Sequence, residues 1–285
     1  MRRGRRRADE FQFSLPLEKA VQITHLLVEG VGIRAIERLA GVHRDTVLAV
    51  LEVVGRKSAR LLDAKVRNHP FESVQVDELF AFVGCKERNN VLQHPDLGDQ
   101  YVYLGVDAET KFILNFTVGK RNAVTTQTYI QDLKKRVQTP FQLTTDGFNP
   151  YPAEVFSTFQ DGAHYSQLVK QYAAKIDGEK NYHRRYSPSH CIGARKVIRF
   201  GNPDPDRIST SYVERTNLSV RLFNRRFTRL TLGYSKKLAN LKHSVALFIA
   251  HFNFCRKHSA HGQTPAQSCR LANHQWTIQE LLTAI

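Results

Sequence analysis

The sequence has 285 residues, of which 41% are hydrophobic and 24% charged, which is enough for one sizeable core and a small additional module. Its formal net charge of +16 points to a polyanionic partner, for which nucleic acid is the usual candidate. No apolar run approaches the roughly 18 residues of a membrane span, and no apolar stretch follows the basic N-terminus as it would in a signal peptide. We therefore expect a soluble cytoplasmic protein with no membrane partner.

Three short segments with helical apolar spacing follow Pro16. They predict helices over about 17–29, 33–40 and 44–54, with a tight turn at Gly41 between the last two. This order is typical of a helix-turn-helix module, in which the start of the third helix enters the major groove of DNA. The alternative is a helical bundle without DNA contact. In the first interpretation, the residues that meet DNA are His43, Arg44, Asp45 and Thr46.

The middle of the sequence consists of short β-rich runs. Three consecutive strands, at about 74–85, 101–107 and 112–120, are followed by a helix, a strand, a helix and a further strand. That order is the order of an RNase H-like fold, an α/β architecture with a mixed sheet. Residues 175–210 lack periodicity and are interpreted as a loop-rich insertion, after which a long basic helix is expected over about 211–227.

The sequence thus predicts four segments. They are a flexible basic arm at 1–15, a small N-terminal all-α helix-turn-helix module at 16–66, an RNase H-like (retroviral-integrase-like) domain at 70–235, and a C-terminal helical segment packed on that domain at 236–285.

The four cysteines form no C-x-x-C pair, so neither a zinc ribbon nor a redox motif is predicted. His183, His190 and Cys191 lie close together, but their spacing matches no standard zinc site. We expect structural thiols.

Three carboxylates occupy positions suited to a metal site: Asp77 in the first predicted strand, Asp146 at the end of the fourth, and Glu214 early in the basic helix. The first and fourth strands of an RNase H-like sheet are neighbours, so the two aspartates would face each other and the helix would deliver the glutamate. Such oxygen ligands suit two Mg²⁺ ions, which stabilise both the attacking and the leaving oxygen when a phosphodiester is cut.

The residues themselves leave alternatives open at each of these positions. The alternation of apolar residues does not choose between Asp77 and the adjacent Glu78. Aspartate before glycine, as at Asp146, is commonly a turn residue. Glu214 among arginines is equally consistent with a surface ion pair of little energetic value.

Several ordered motifs resemble those of the insertion-sequence-one (IS-one) family of bacterial DDE-type transposases. The family's pattern E-R-x-N-L-x-x-R, followed by R-x-T-x-x-(F/Y)-S-K, matches Glu214, Arg215, Asn217, Leu218 and Arg221, then Arg229, Thr231, Tyr234, Ser235 and Lys236. VQVDELFAFVG resembles the family's first catalytic strand and LTTDGFNPY its second, which places ligands at Asp77 and Asp146. VHRDTV resembles the start of its helix-turn-helix. A tryptophan expected near the first aspartate is Phe80 here.

The resemblance implies an enzyme that cuts double-stranded DNA at the terminal inverted repeats of a transposon and joins the 3′-hydroxyls to target DNA. It implies Asp77, Asp146 and Glu214 as ligands of two Mg²⁺ ions, for which Mn²⁺ substitutes. A homo-oligomer would act on paired ends, associated with the nucleoid when DNA is bound. The residues expected to bind DNA are Arg44, Thr46, Arg215, Asn217, Arg221, Arg225, Arg229 and Lys236.

Two alternatives come from other classes of protein. A transposase-derived regulator that binds specific DNA without catalysis predicts the loss of at least one of the three carboxylates, and all three are present. A structure-selective nuclease of the same fold would not need a helix-turn-helix that reads sequence. One fold hosts several chemistries, so the fold alone does not separate these alternatives.

Overall fold

The computed structural model describes residues 15–172 and 191–284. Most of the predicted arm, together with His183 and His190, lies outside the described residues. Contacts group the chain into two units. The sheet unit comprises the described parts of 67–79 and 101–217, and the helical unit those of 1–66, 80–100 and 218–285.

One six-stranded mixed sheet organises the sheet unit, in the order β3-β2-β1-β4-β5-β6. β1 runs parallel to β4 and β4 parallel to β5, whereas the β2–β3 and β5–β6 pairs are antiparallel. This arrangement supports the predicted RNase H-like fold. The strands are β1 (Ser73–Val83), β2 (Gly98–Asp107), β3 (Ile113–Gly119), β4 (Phe141–Thr145), β5 (Ala163–Tyr172) and β6 (Cys191–Phe200).

Two helices of this unit cover apolar strand residues, α4 (Ala123–Lys134) and α5 (Pro150–Phe159). Asn122 caps α4 by accepting a hydrogen bond from the Thr125 amide, 3.0 Å away. In α5, the ring of Phe159 packs edge-on against Phe141 of β4, with the ring centroids 5.1 Å apart. Buried aromatic pairs of this kind fix the helices on the sheet.

The predicted loop-rich insertion at 175–210 is wrong for its second half, which contains β6 and a 3₁₀ turn at Pro205–Arg207. β6 is an edge strand in which no residue is buried, so no buried alternation marked it in the sequence. It is held by the ladder with β5 and by hydrogen bonds such as that from Arg199 Nε to Gln167 Oε1, 2.7 Å long.

The helical unit contains the three predicted N-terminal helices. Besides α4 and α5, the described residues form α1 (Leu17–Val28), α2 (Ile33–Ala40), α3 (Arg44–Lys65), α6 (Ser211–Phe223), α7 (Leu238–Phe254), α8 (Pro265–Ser268) and α9 (Ile278–Thr283). α1, α2 and α3 contact one another, and α7 packs along α3. The C-terminal segment, expected to pack on the RNase H-like domain, therefore belongs to the same unit as the N-terminal helices.

The close packing of α7 on α3 depends on Gly55, because only a residue without a side chain fits where the two helices meet. A Cβ atom at this position would lie 2.5 Å from Cβ and 2.6 Å from Cα of His243. The long apolar face of α7, with Leu241, Val245 and Phe248 buried, completes this helical core.

The basic helix α6 ends at Phe223 and does not continue to Phe227 as predicted. Asn224 has an extended backbone, accepts a hydrogen bond from the Arg226 amide and donates one to the Ser244 carbonyl oxygen, 3.2 Å away. These bonds hold residues 225–227 in a separate 3₁₀ turn. Arg225 therefore does not share a helix face with Glu214.

Within the residues described, no helix combines the length and the apolar character that crossing a membrane requires.

Candidate active site

Asp77 and Asp146 lie side by side because their strands are neighbours. In the parallel register, Val76 of β1 pairs with Thr145 of β4, and each aspartate directly follows its member of this pair. The ladder between β1 and β4 ends at this pair, although β1 itself continues to Val83, and the side chains that follow the pair on both strands can converge. The structure thus brings these two predicted site residues together.

A third carboxylate in this cluster is Glu78, the neighbour that the sequence could not separate from Asp77. One oxygen each of Asp77, Glu78 and Asp146 lies within 4.8 Å of the others. The side chain of Glu78 is only 2% exposed, so its charge is withdrawn from solvent. Both residues of the Asp77–Glu78 pair therefore belong to the site.

Each aspartate of the cluster is held by hydrogen bonds to both of its oxygens. Asp77 Oδ1 accepts from the Glu78 amide, and Oδ2 accepts from Asn217 Nδ2 of α6, each at 2.8 Å. Asp146 Oδ1 accepts from the Phe148 amide at 2.9 Å, and Oδ2 accepts from Arg121 Nη2 at 3.1 Å. Carboxylates fixed in this way are preorganised as ligands.

Arg121 joins two of the carboxylates. In addition to Asp146, its Nε donates to Glu78 Oε2 at 2.9 Å, and its guanidinium lies over the ring of Phe148, 4.0 Å from the centroid. The buried Tyr151 hydroxyl donates to the other oxygen of Glu78. The guanidinium supplies the positive charge that the clustered carboxylates require.

The carboxyl groups perturb one another strongly. Burial, reinforced by the charge of Asp146, raises the pKa of Asp77 to about 6. The same two causes raise the pKa of Glu78 to about 7, although the bonds from Tyr151 and Arg121 act in the opposite direction. Such shifts are typical of functional sites, where charges of one sign are concentrated.

Glu214 lies beside this cluster and is not one of its three members. It is one helical turn before Asn217, which bonds to Asp77, so both residues face the aspartates from α6. Glu214 Oε1 accepts from Lys170 Nζ and from Thr210 Oγ1, each at 2.5 Å. Burial lowers the pKa of Lys170, but the bond and charge of Glu214 outweigh it and raise the value overall.

An open cleft of about 590 Å³ contains these groups. Its floor carries the carboxylates of Asp77, Asp146 and Glu214, and its cations are Arg121 and Lys170. The remaining lining residues are Gly147, Phe148, Asn149, Leu168, Val169, Tyr172 and Thr210.

The residues predicted to bind DNA have different surroundings. Asn217 is buried and bonded to Asp77, which corrects its predicted role from DNA contact to positioning of a carboxylate. Thr46 and Arg221 are half-buried. The other five, Arg44, Arg215, Arg225, Arg229 and Lys236, are exposed.

Sequence reasoning missed Arg121, Lys170 and Tyr151. Arg121 follows β3, Lys170 lies on β5 and Tyr151 on α5, and their contacts with the carboxylates span 25 to 73 residues. Arg121 and Lys170 belong to no local motif, and Tyr151 ends the LTTDGFNPY motif, in which only Asp146 was given a role at the site.

Comparisons with known proteins address the fold and the family. Among solved structures, the chain is similar to a piggyBac transposase synaptic complex with hairpin DNA, with 10% identity, a TM-score of 0.44, and coverage of 94% of this chain and 72% of that one. The chain is also similar to the Mos1 strand transfer complex, with 12% identity, a TM-score of 0.31, and coverage of 97% of this chain and 79% of that one. For the Mos1 transposase paired-end complex with the left transposon end, the identity is 14% and the TM-score 0.23, with coverage of 56% of this chain and 62% of that one. No curated protein sequence matches the chain.

Residues 72–184 match the DDE domain model of the IS240 transposase family. This range includes Asp77, Glu78, Arg121 and Asp146. IS240 and IS-one are different families, so the match does not confirm the IS-one resemblance. The match gives the chain a transposase DDE domain and, with that domain, the function of a DDE transposase.

Proposed function

We propose that this transposase cuts DNA at transposon ends and transfers the freed 3′-hydroxyls into target DNA, with Asp77, Asp146 and Glu214 as its catalytic carboxylates. The observation that carries the proposal is the convergence of carboxylates from two adjacent parallel strands within 4.8 Å, in an open cleft of a domain that matches the DDE model.

The donor set of the site fits divalent magnesium. All its ligand atoms are carboxylate oxygens, which Mg²⁺ prefers, and burial together with the charge of Asp146 raises the pKa of Asp77 and of Glu78, a repulsion that a bound cation would relieve. Asp77 and Asp146 would hold two ions together with Glu214, and Mn²⁺ would replace Mg²⁺. When bound, the ions activate the attacking group and stabilise the attacking and leaving oxygens.

The chain's own residues orient these ligands. Asn217 fixes Asp77, Arg121 fixes Asp146, and Lys170 holds Glu214. The proposed reaction is in-line attack by water at the transposon end, followed by in-line attack of the 3′-hydroxyl on a target phosphodiester. Neither step needs a covalent protein–DNA intermediate, so no serine or tyrosine nucleophile is assigned.

DNA recognition is proposed for the helix-turn-helix formed by α2, the turn and α3. Gly41 adopts a left-handed conformation, with φ of 64°, between the two helices, which suits a tight turn. Arg44 and Thr46 both lie in the first turn of α3, where Arg44 is exposed and Thr46 is half-buried. The tight turn and the exposed Arg44 support the proposal that the start of α3 enters a major groove.

The proposed partners are transposon terminal repeats and target DNA, bound by the exposed arginines of the chain, with a homo-oligomer assembled on two paired ends. The IS-one resemblance supports the assembly, and the formal charge of +16 supports the polyanionic partner. IS-one membership itself remains a proposal based on the motifs around Glu214.

Strand cleavage of the DNA that flanks the gene tests the proposal. Wild-type protein is incubated with an end-labelled duplex of that DNA, with Mg²⁺ or with EDTA, and with an unrelated duplex as the substrate control. We expect a discrete cut on the flanking duplex that requires the metal. Specific binding without cleavage in Mg²⁺ or Mn²⁺ would contradict catalysis and would leave a DNA-binding regulator.

Replacement of Lys170 tests whether Glu214 becomes a metal ligand. A cation at Glu214 would compete with the Lys170 ammonium for the same carboxylate, so Lys170→Gln is expected to tighten Mn²⁺ binding by about two- to fivefold, the equivalent of a partly exposed ion pair. The measurement is free Mn²⁺ by electron paramagnetic resonance during titration of the protein.

Lys196→Gln is the matched control, because it removes the same charge from the sheet unit at a lysine bonded to the Pro205 carbonyl oxygen. Equal Mn²⁺ affinities of the two variants would exclude Glu214 as a ligand and would assign the third position to Glu78.

A further inference from the structure

The loop between the 3₁₀ turn at 225–227 and α7, here called the 228–237 loop, exposes two leucines. Leu230 is 80% and Leu232 is 87% exposed, although each is flanked by polar or basic residues. Isolated exposed leucines are ordinary, but two of them at the end of one short loop form an apolar tip. Such a tip requires a partner that offers an apolar environment.

The base of this loop is fixed to the helical unit. The ring of Tyr234 packs on Phe82, with the centroids 4.4 Å apart, and the Ser235 carbonyl oxygen accepts from the Gly84 amide at 2.9 Å. Gly233 approaches the Arg225 carbonyl so closely that a Cβ would lie 2.8 Å from its oxygen. The two leucines therefore lie on a loop that is already ordered in the folded chain, so binding of a partner would not have to order it.

The backbone of the loop is strained at its tip. Leu230 has a φ of 59°, a left-handed conformation that is unfavourable for a residue with a Cβ. Thr231 Oγ1 stabilises it by donating to the Thr228 carbonyl oxygen and accepting from the Gly233 amide, both at 3.2 Å. The chain thus maintains a conformation that keeps Leu230 in solvent.

The charge around the loop identifies the partner's chemistry. No acidic residue occurs between Glu214 and Glu280, whereas the flanks of the loop carry exposed basic side chains. Among described residues, none of these side chains forms an ion pair with a carboxylate: Arg225, Arg229, Lys236 and Lys237.

A second copy of the chain that presented the same surface would fit poorly, because it would place like charges opposite one another. A DNA duplex fits it well. Its phosphates match the basic flanks, and the space between stacked base pairs is the apolar environment that leucine side chains enter in proteins that kink DNA.

We propose that Leu230 and Leu232 form a wedge that enters a base-pair step of the bound duplex and unstacks it, while the four basic residues hold the neighbouring phosphates. The inference rests on the proposed action on DNA and adds a specific distortion of the substrate. Unstacking an intact step is unfavourable, so DNA whose stack is already broken should bind more tightly.

The test compares two duplexes of the flanking DNA, one intact and one with a single abasic site, in fluorescence anisotropy titrations. Wild-type protein is expected to bind the abasic duplex about tenfold or more tightly than the intact one. Leu230→Asn with Leu232→Ser is expected to lose this preference, while its affinity for the intact duplex changes little. Asparagine tolerates the left-handed conformation at position 230, so folding should be retained.

The matched control is Val91→Asn with Leu92→Ser, an equally exposed apolar pair, at 86% and 92%, in a segment that contains both acidic and basic residues. This variant should keep the preference. A preference unchanged in the Leu230/Leu232 variant would overturn the wedge, as would conversion of a wild-type dimer into a monomer by that variant in sedimentation, which would make the loop an interface between copies. Absence of any DNA binding by wild type would instead contradict the proposed function.

Discussion

Replacement of Asp146 by asparagine is expected to lower strand cleavage by on the order of 1000-fold or more, because it removes a ligand charge from the centre of the carboxylate cluster. Asparagine keeps the size of the side chain and an oxygen that can accept from the Phe148 amide, so the turn after β4 should persist. DNA binding should be retained or slightly strengthened, since one negative charge leaves a cleft that receives phosphates.

Cleavage of the labelled flanking duplex and its affinity are measured in parallel for wild type and variant. Asp161→Asn provides the control, as it removes an exposed carboxylate of the same unit outside the cleft. Thermal unfolding of both variants should match that of wild type. Normal cleavage by Asp146→Asn would refute the assignment of the site.

Gly55→Ala should destabilise the helical unit by about 3 kcal/mol. In an isolated helix the same change would stabilise by up to about 1 kcal/mol, because alanine has the higher helix propensity. Here the added Cβ would lie within 2.7 Å of three atoms of His243, two of them in its backbone, so α3 and α7 would have to separate. The sign of the effect therefore distinguishes close helix packing from intrinsic propensity.

Urea denaturation followed by tryptophan fluorescence measures this change. Trp276 is the single tryptophan, and its ring stacks on Phe254 of α7 at 4.7 Å, so its emission reports the helical unit. Gly32→Ala serves as control, since nothing lies within 4 Å of a Cβ there and φ is −71°. A midpoint for Gly55→Ala at or above that of wild type would show that the two helices do not pack this closely.

The strands and the paired aspartates could be predicted because the information is local. Alternating or continuous apolar runs marked β1 to β5, and the rule that the first and fourth strands are neighbours placed Asp77 next to Asp146. Glu78 could not be assigned, because both of two consecutive strand residues reach the site. The sequence contains no pattern for that geometry.

Other features depended on contacts that only the folded chain creates. β6 is mostly exposed and gains its order from pairing with β5, so hydrophobic periodicity had nothing to detect. Asn217 was assigned to DNA from its place in a basic motif, whereas the folded helix turns it towards Asp77. The end of α6 followed from hydrogen bonds between Asn224 and α7, twenty residues further along the chain.

The net charge of the carboxylates and the two cations in the cleft bears on how many metal ions the site can bind. Arg121 and Lys170 offset two of the four neighbouring carboxylates, Asp77, Glu78, Asp146 and Glu214. With all groups ionised, the remaining charge of two matches a single divalent ion. A second ion would leave an excess of positive charge, which the phosphate of an incoming strand neutralises. Under the proposed two-ion chemistry, binding of the second ion would therefore depend on the presence of DNA in the cleft.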